Sequence, residues 1–198
     1  MAYIWDERYS NKEYAFGKDP NVFFKSVIKT MKPGKMLVPG AGEGRDAVFA
    51  ASLGWQVDAF DLSAVGREKC LNLAREFKTT VNYRLLNATD FTADEGIYDA
   101  AALIYFHLPE AIRKQFYREV FKSVRKGGSV ILELFNPKQL QNTSGGPKDV
   151  SMLMTPSILS CDFNGLQIIQ NEEMEVTLHE GKYHEGKADI VRFIGIKK

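Results

Sequence analysis

The stretch VPGAGEGRD, Val38–Asp46, decides the fold of this chain. It closes a short apolar run, Lys35–Pro39, and opens an alanine-rich segment, Glu43–Leu53, that Gly54 follows. Glycines between a strand and a helix let the backbone turn tightly, and they let a ligand reach main-chain N–H groups at the positive end of the helix. The pattern therefore predicts a strand, a ligand-binding glycine loop and a helix.

The chain beyond this loop alternates between strand-like and helix-like patterns. Further strands are predicted at Gln56–Phe60, Val81–Leu86, Tyr98–Phe106 and Ser129–Phe135. Helices are predicted after Ser63, a capping residue, and after Pro109, with Gly127 and Gly128 ending the second of them. Five strands separated by helices are typical of a doubly wound, parallel α/β sheet.

The pattern changes after Phe135. A polar stretch leads to a short helix near Thr155–Cys161, and two long strand patterns follow, Leu166–His179 and Ala188–Ile196. Because the connection around Gly181–Gly186 is short, the two strands are expected to form an antiparallel hairpin. The predicted fold is thus α/β and Rossmann-like, with a mostly parallel sheet that ends in a C-terminal antiparallel hairpin.

Length and composition limit the classes of protein. With 198 residues the chain is expected to form a single domain, 1–198. A net charge of +1 gives no support to nucleic-acid binding by bulk electrostatics. The two cysteines, Cys70 and Cys161, are far apart and predict neither a disulfide framework nor a metal site. No apolar run approaches the ~20 residues that span a bilayer, and no signal-peptide pattern is visible, so we expect a cytoplasmic protein that does not bind membranes.

Asp61 and the glycine spacing indicate which ligand the loop binds. A carboxylate at the end of the second strand can accept hydrogen bonds from two ribose hydroxyls. In the dinucleotide fingerprint G-x-G-x-x-G the third glycine is the sixth residue, whereas here Gly44 comes one residue early and Arg45 occupies that place. The spacing disfavours a nicotinamide or flavin dinucleotide and favours another nucleoside cofactor. The alternative is a purely structural turn.

Five segments together resemble the class I S-adenosylmethionine-dependent methyltransferases. They are GAGEG, DAFDLS, LNATDF, IYDAAALIYFHLP and RKGGSVILELF. Among the branches of that superfamily, the wording LVPGAGEGRDA and the segment WDERY…FGKDPNVFF are most similar to the small tellurite-resistance and thiopurine-type methyltransferases. The resemblance implies a seven-stranded sheet and S-adenosyl-L-methionine as cofactor. It also implies an SN2 methyl transfer to a small-molecule acceptor such as a thiol or a chalcogen oxyanion.

The resemblance also assigns residues to the cofactor site. They are Gly40, Ala41, Gly42, Glu43, Arg45, Asp61, Leu62, Asn87, Ala88, Tyr105 and His107. His107 is in addition the candidate catalytic base, with a packing role as the alternative. Residues 1–30 are expected to form a helical lid over a core of residues 31–198. His179 and His184 are predicted to be exposed hairpin residues, and no metal is expected.

Two other functions remain open on the sequence alone. One is a nicotinamide-dependent oxidoreductase, against which the early third glycine and the terminal hairpin both argue. The other is a protein that binds S-adenosylmethionine without catalysis, because a fold does not by itself fix a function. The expected partner is a small-molecule methyl acceptor, without nucleic acid, and the chain is expected to be a monomer or a homodimer.

Overall fold

A computed structural model describes residues 2–198 of the chain. Seven strands form one sheet in the order β3-β2-β1-β4-β5-β7-β6. The strands are β1 (Lys35–Pro39), β2 (Gln56–Asp61), β3 (Asn82–Leu85), β4 (Tyr98–Ile104), β5 (Val124–Phe135), β6 (Leu166–His179) and β7 (Glu185–Lys197). The first five are parallel, and β7 is antiparallel to both β5 and β6. The predicted fold class, including the C-terminal antiparallel hairpin, is confirmed.

Six helices accompany the sheet. They are α1 (Ala2–Tyr9), α2 (Val22–Ile28), α3 (Arg45–Ser52), α4 (Ala64–Glu76), α5 (Glu110–Ser123) and α6 (Pro156–Asp162). Short 3₁₀ helices cover Ala88–Asp90, Pro137–Gln141 and Val150–Met152. As predicted, the Ser63 hydroxyl caps α4 by accepting a hydrogen bond from the Gly66 N–H at 2.9 Å.

The core is divided into two layers by the sheet, because successive residues of a strand point to opposite faces. Met36 and Val38 of β1 pack in one apolar cluster with residues of α2, α3 and α4. Leu37, between them, packs in the other cluster with residues of α5 and α6. Strands covered on both faces explain the continuous apolar runs of the sequence.

The largest differences from the predicted boundaries lie where α5 is followed by β5, which begins at Val124 instead of Ser129, and at the end of β4. The helix after Pro109 ends at Ser123 instead of Gly127, and Val124 already pairs with Tyr98 in the sheet. Val124 continues the four-residue apolar spacing of the helix because it is buried in the sheet. The spacing does not distinguish a buried strand residue from a buried helical one. The fourth strand ends at Ile104, because Tyr105 adopts a φ of +52° that no strand can continue.

Residues 2–30, which we call the N-terminal arm, contain α1, which packs on α4, and α2, which packs against α3 and β5. The Lys69 ammonium of α4 donates to the carbonyl oxygens of Tyr9, Asn11 and Glu13 at 3.1, 2.8 and 2.7 Å. The same ammonium pairs with the Glu43 carboxylate of the glycine loop at 2.6 Å. One side chain thus joins the arm, a helix and the loop.

The two edge strands of the sheet are β3 and β6, and β6 is 14 residues long. A bulge interrupts its pairing with β7 between Ile168 and Gln170. Glu172, Glu173 and Glu175 follow the bulge along this outermost strand. No helix within residues 2–198 is long and apolar enough to span a bilayer.

Candidate functional site

A cavity of about 450 Å³ runs along the carboxyl ends of the central strands. The helix after β1 packs on one face of the sheet and the helix after β4 on the other, so a crevice opens between the two strands. Open α/β sheets bind their ligands at such a switch point. Its volume is within the usual range for small-molecule sites.

The glycine loop forms one wall of this cavity. Gly44 precedes α3 with a φ of +88°, and a Cβ there would collide with the Cys70 sulfur of α4. Gly40 has a φ of +61°, and a Cβ there would overlap the Phe106 ring. Both positions require glycine, for backbone conformation as well as for space. The loop therefore brings the start of α3 close to α4 and leaves the N-terminus of α3 at the cavity.

Asp61 lies on the wall formed by the end of β2. Its Oδ2 accepts the Gly42 N–H at 3.1 Å and its Oδ1 accepts the Ser63 N–H at 3.0 Å. Each carboxylate oxygen keeps a further lone pair, which is what a ribose diol requires. Burial raises the pKa of Asp61, while the backbone hydrogen bonds act in the opposite direction. The residue thus fits the predicted ribose contact.

Glu43 and Arg45 line the cavity, but their charged groups are already held by the protein. Glu43 accepts the Ala15 N–H at 2.7 Å in addition to its ion pair with Lys69. The Arg45 guanidinium donates to Glu180 at 2.8 Å and to the Phe16 carbonyl at 3.1 Å. These side chains fix the N-terminal arm and the hairpin against the loop, and we place them in the cavity wall for that reason.

The other predicted cofactor residues also line the cavity. Leu62, Asn87 and Ala88 lie at the side of β2 and β3, and Tyr105 and His107 at the end of β4. The Asn87 side-chain oxygen accepts the Thr89 N–H at 3.2 Å. Its NH₂ group is not used in that hydrogen bond. The structure therefore brings all the predicted site residues to one cavity.

A buried polar network supports the cavity beneath Tyr105. Glu133 of β5, which is 1% exposed, accepts hydrogen bonds from the Tyr105 hydroxyl at 2.8 Å and the Asn21 amide at 2.6 Å. Arg192 of β7 donates to its other oxygen at 2.6 Å. The Asn21 amide also donates to Glu180 at 3.0 Å. Because Tyr105 holds a strained φ, this network is what keeps it in place.

His107 does not have the geometry of a general base. Its Nδ1 lies 2.9 Å from the Met152 carbonyl, to which it donates, and its Nε2 accepts the Phe135 N–H at 3.2 Å. Burial lowers the pKa of His107 to about 4. Since both ring nitrogens are bonded to the backbone, the structure contradicts the catalytic assignment. His107 joins the loop around Met152 to the end of β5.

The prediction that both hairpin histidines are exposed is correct for His179 and wrong for His184. The side chain of His179 is 72% exposed, whereas His184 is 5% exposed and lines the cavity. β6 runs parallel to β5, so the β6–β7 turn reaches the same sheet edge as the glycine loop. The burial of His184 could have been predicted from the sequence only through the strand order, which places the β6–β7 turn at this edge. Within residues 2–198, no three His, Cys, Asp or Glu side chains are grouped as metal ligands would be.

The N-terminal arm supplies a further part of the cavity wall. Trp5, Arg8, Tyr9 and Phe16 all line it. The Arg8 guanidinium lies between two aromatic rings, 4.8 Å from the centre of Trp5 and 4.7 Å from that of Tyr183. Such stacking stabilises the cation and holds the arm against the hairpin turn.

A glycine loop after β1, an acid ending β2 and an antiparallel β7 inserted between β5 and β6 define a class I S-adenosylmethionine-dependent methyltransferase. The family model of thiopurine S-methyltransferase (TPMT) matches residues 2–188. The chain belongs to this family, and it is accordingly an enzyme whose cofactor is S-adenosyl-L-methionine. The nicotinamide alternative is thereby set aside.

Solved structures show the same fold at low sequence identity. TehB from Haemophilus influenzae is 14% identical with a TM-score of 0.74, covering 100% of this chain and 67% of that one. Geranyl diphosphate C-methyltransferase from Streptomyces coelicolor, solved with S-adenosyl-L-homocysteine, is 16% identical with a TM-score of 0.69, covering 100% and 96%. A structure described as "Conversion of a Disulfide Bond into a Thioacetal Group during Echinomycin Biosynthesis" is 15% identical with a TM-score of 0.80, covering 100% and 93%. No curated protein sequence matches the chain significantly.

Proposed function

We propose that this enzyme methylates the sulfur of a small thiol whose body is apolar or aromatic. The observation that carries the proposal is the character of the cavity beyond the glycine loop. Near the ends of β4 and β5 its apolar lining consists of Phe16, Tyr105, Phe135, Pro147 and Met152, and the polar side chains beside them are Arg8, Arg45 and His184. Aromatic and thioether side chains favour an apolar acceptor, and burying a doubly charged oxyanion among them would be costly.

The two halves of the cavity divide the binding of the two reactants. Asp61 and Asn87 lie over β2 and β3, where they would hold the ribose and the adenine of the cofactor. Tyr105 lies at the boundary between the halves, and its ring stacks on Phe135 with centroids 4.7 Å apart. The stacked pair would orient an acceptor and exclude water.

Methyl transfer by an SN2 mechanism depends mainly on this orientation. When bound, S-adenosylmethionine supplies a methyl group that its sulfonium activates. The contribution of this chain is to hold the acceptor sulfur in line at near-attack distance, and such positioning can supply ~7–11 kcal/mol of the barrier. A rigid aromatic wall is suited to that task because its side chains have few rotamers to lose on binding.

Arg8 favours a second candidate, an acceptor that carries a negative charge. No described carboxylate pairs with its guanidinium, although it lies in the cavity wall. A thiol with a carboxylate substituent, or a chalcogen oxyanion such as tellurite, would find a cation there. Both candidates predict that an anionic thiol is methylated. Only the second predicts that tellurite is methylated.

An acceptor assay distinguishes the two. We expect the enzyme to form S-adenosylhomocysteine with aromatic thiols and to form little with tellurite or selenite. Arg8→Gln should lower kcat/KM about tenfold for thiols that carry a carboxylate, because a charge-assisted hydrogen bond contributes ~1.5–3 kcal/mol. The same variant should leave uncharged aromatic thiols nearly unchanged.

Lys182→Gln is the matched control for Arg8→Gln. The Lys182 ammonium stacks on the same Tyr183 ring at 5.7 Å, but the residue does not line the cavity. We expect it to have wild-type kinetics with every acceptor. Turnover of oxyanions in preference to all thiols would contradict the thiol proposal and favour the second candidate.

A further inference from the structure

His184 lies where an acceptor would meet the aromatic half of the cavity. Its ring centre is 4.5 Å from that of Phe16, 4.5 Å from that of Tyr105 and 5.4 Å from that of Phe135. These are the rings that form the proposed acceptor wall. A titratable group in such a position can exchange a proton with a bound acceptor.

The Nδ1 edge of the imidazole is held by a carboxylate. Nδ1 lies 3.3 Å from Glu180 Oε2, and Glu180 is itself held by Arg45 at 2.8 Å and by the Asn21 amide at 3.0 Å. A carboxylate beside Nδ1 places the ring proton on that nitrogen, so Nε2 carries the free lone pair.

Nε2 has no hydrogen-bond partner among the described residues, in contrast to both nitrogens of His107. His184 lines the cavity, and Gly145 lies beside the Nε2 edge of its ring. A Cβ on Gly145 would lie 3.3 Å from Nε2 and 2.9 Å from the neighbouring ring carbon. The chain thus leaves an oriented proton acceptor facing the cavity.

We propose that His184 is a catalytic residue that accepts, at Nε2, the proton of the acceptor thiol. This inference rests on the proposed function. The S–H bond breaks and its electron pair stays on the sulfur as the nucleophile, while a new N–H bond forms on the ring. The imidazolium charge is balanced by Glu180, a positioning residue, and the proton passes to water once the methylated product has left.

The charges around His184 favour the neutral form that this role requires. Burial and the charge of Arg45 lower its pKa, while Glu180 and Glu133 act in the opposite direction, and the result is a pKa below the usual value. Tyr105 and His107, the other titratable groups that face the ring, are uncharged at neutral pH, because burial raises the pKa of Tyr105 and lowers that of His107. His184 is therefore ready to accept a proton at pH 7.

The experiment compares His184→Gln with His179→Gln on a series of thiols of decreasing pKa. His179 is the matched control, because it lies on the same hairpin and is exposed. At pH 7 an alkyl thiol of pKa about 8.5 is only a few per cent ionised, so losing the base should lower kcat about ten- to thirtyfold. Aromatic thiols that are already ionised at pH 7 should lose less than about twofold, since they need no base. The control should match the wild type throughout.

Two further readouts separate a base from a packing residue. Binding of S-adenosylhomocysteine by calorimetry should be unchanged in His184→Gln. In the wild-type protein, ¹⁵N NMR of the ring should show a proton on Nδ1 and none on Nε2 at pH 7. An equal loss for all thiols, no loss for any, or a proton on Nε2 would each overturn the role of His184. If the wild-type enzyme methylates no thiol, the proposed function fails and the role of His184 falls with it.

Discussion

Replacing Glu133 with alanine is expected to destabilise the fold by about 3–5 kcal/mol, the cost of breaking a buried ion pair from one side. The carboxylate is 1% exposed and accepts from Tyr105, Asn21 and Arg192 at once. Without it, the buried Asn21 amide and the partly buried Tyr105 hydroxyl and Arg192 guanidinium would each lose a hydrogen-bond partner. For a domain of this size the melting temperature should fall by roughly 6–20 °C.

Chemical denaturation of two variants tests this expectation. Glu133→Gln keeps an accepting oxygen and loses the charge, so it should cost less than the alanine variant. Glu175→Ala is the exposed control, because its ion pair with Lys187, at 2.6 Å, joins side chains that are 60% and 58% exposed. Such a pair contributes at most about 1 kcal/mol. If Glu133→Ala lowered the free energy of unfolding no more than Glu175→Ala, the network would not be what holds the end of β4.

Replacing Asp61 with alanine is expected to weaken the binding of S-adenosylhomocysteine about a hundredfold or more. Each hydrogen bond from a ribose hydroxyl to the carboxylate is worth about 1.5–3 kcal/mol, and the carboxylate can accept two. The variant also frees the Gly42 N–H, which Asp61 accepts at 3.1 Å, so part of the loss comes from the glycine loop. Isothermal calorimetry gives the affinity, and a thermal melt shows how much of the loss is due to destabilisation.

Asp58→Asn is the matched control for Asp61→Ala. Asp58 lies on the same strand, where it bonds with Asn82 and Tyr98 at 2.7 and 2.9 Å and does not line the cavity. We expect its affinity for S-adenosylhomocysteine to equal that of the wild type. An unchanged affinity in Asp61→Ala would remove Asp61 from the ribose site.

Most of the fold was predictable, because the residues that build it act locally. The glycine loop, the acid after β2 and the apolar runs each depend on neighbours within a few positions. The errors arose where a distant contact decided the outcome. Val124 continues the helical spacing, yet pairing with Tyr98 places it in the sheet. Tyr105 continues an apolar run, yet its contacts with Glu133 hold it outside the strand.

The candidate site was predictable on its cofactor side and not on the side of the acceptor. Gly40 and Asp61 belong to motifs whose spacing is fixed by one β-α-β unit. His184 and Arg8 reach the cavity from a hairpin turn and from the N-terminal arm, which the chain brings together over more than a hundred residues. No local pattern distinguishes a buried turn histidine from the exposed His179 beside it. The orientation of β6 and β7 was the missing information.

The outermost strand has a consequence for how the protein behaves at high concentration. The outer edge of β6 has backbone groups that a strand of another molecule could pair with, and Ile168 and Ile169 are 41% and 54% exposed there. The bulge after Ile168 and the three glutamates beyond it oppose such growth of the sheet, since a second copy would bring carboxylates together. Replacing those glutamates with valine should leave catalysis unchanged and should increase aggregation at high protein concentration, which light scattering would measure.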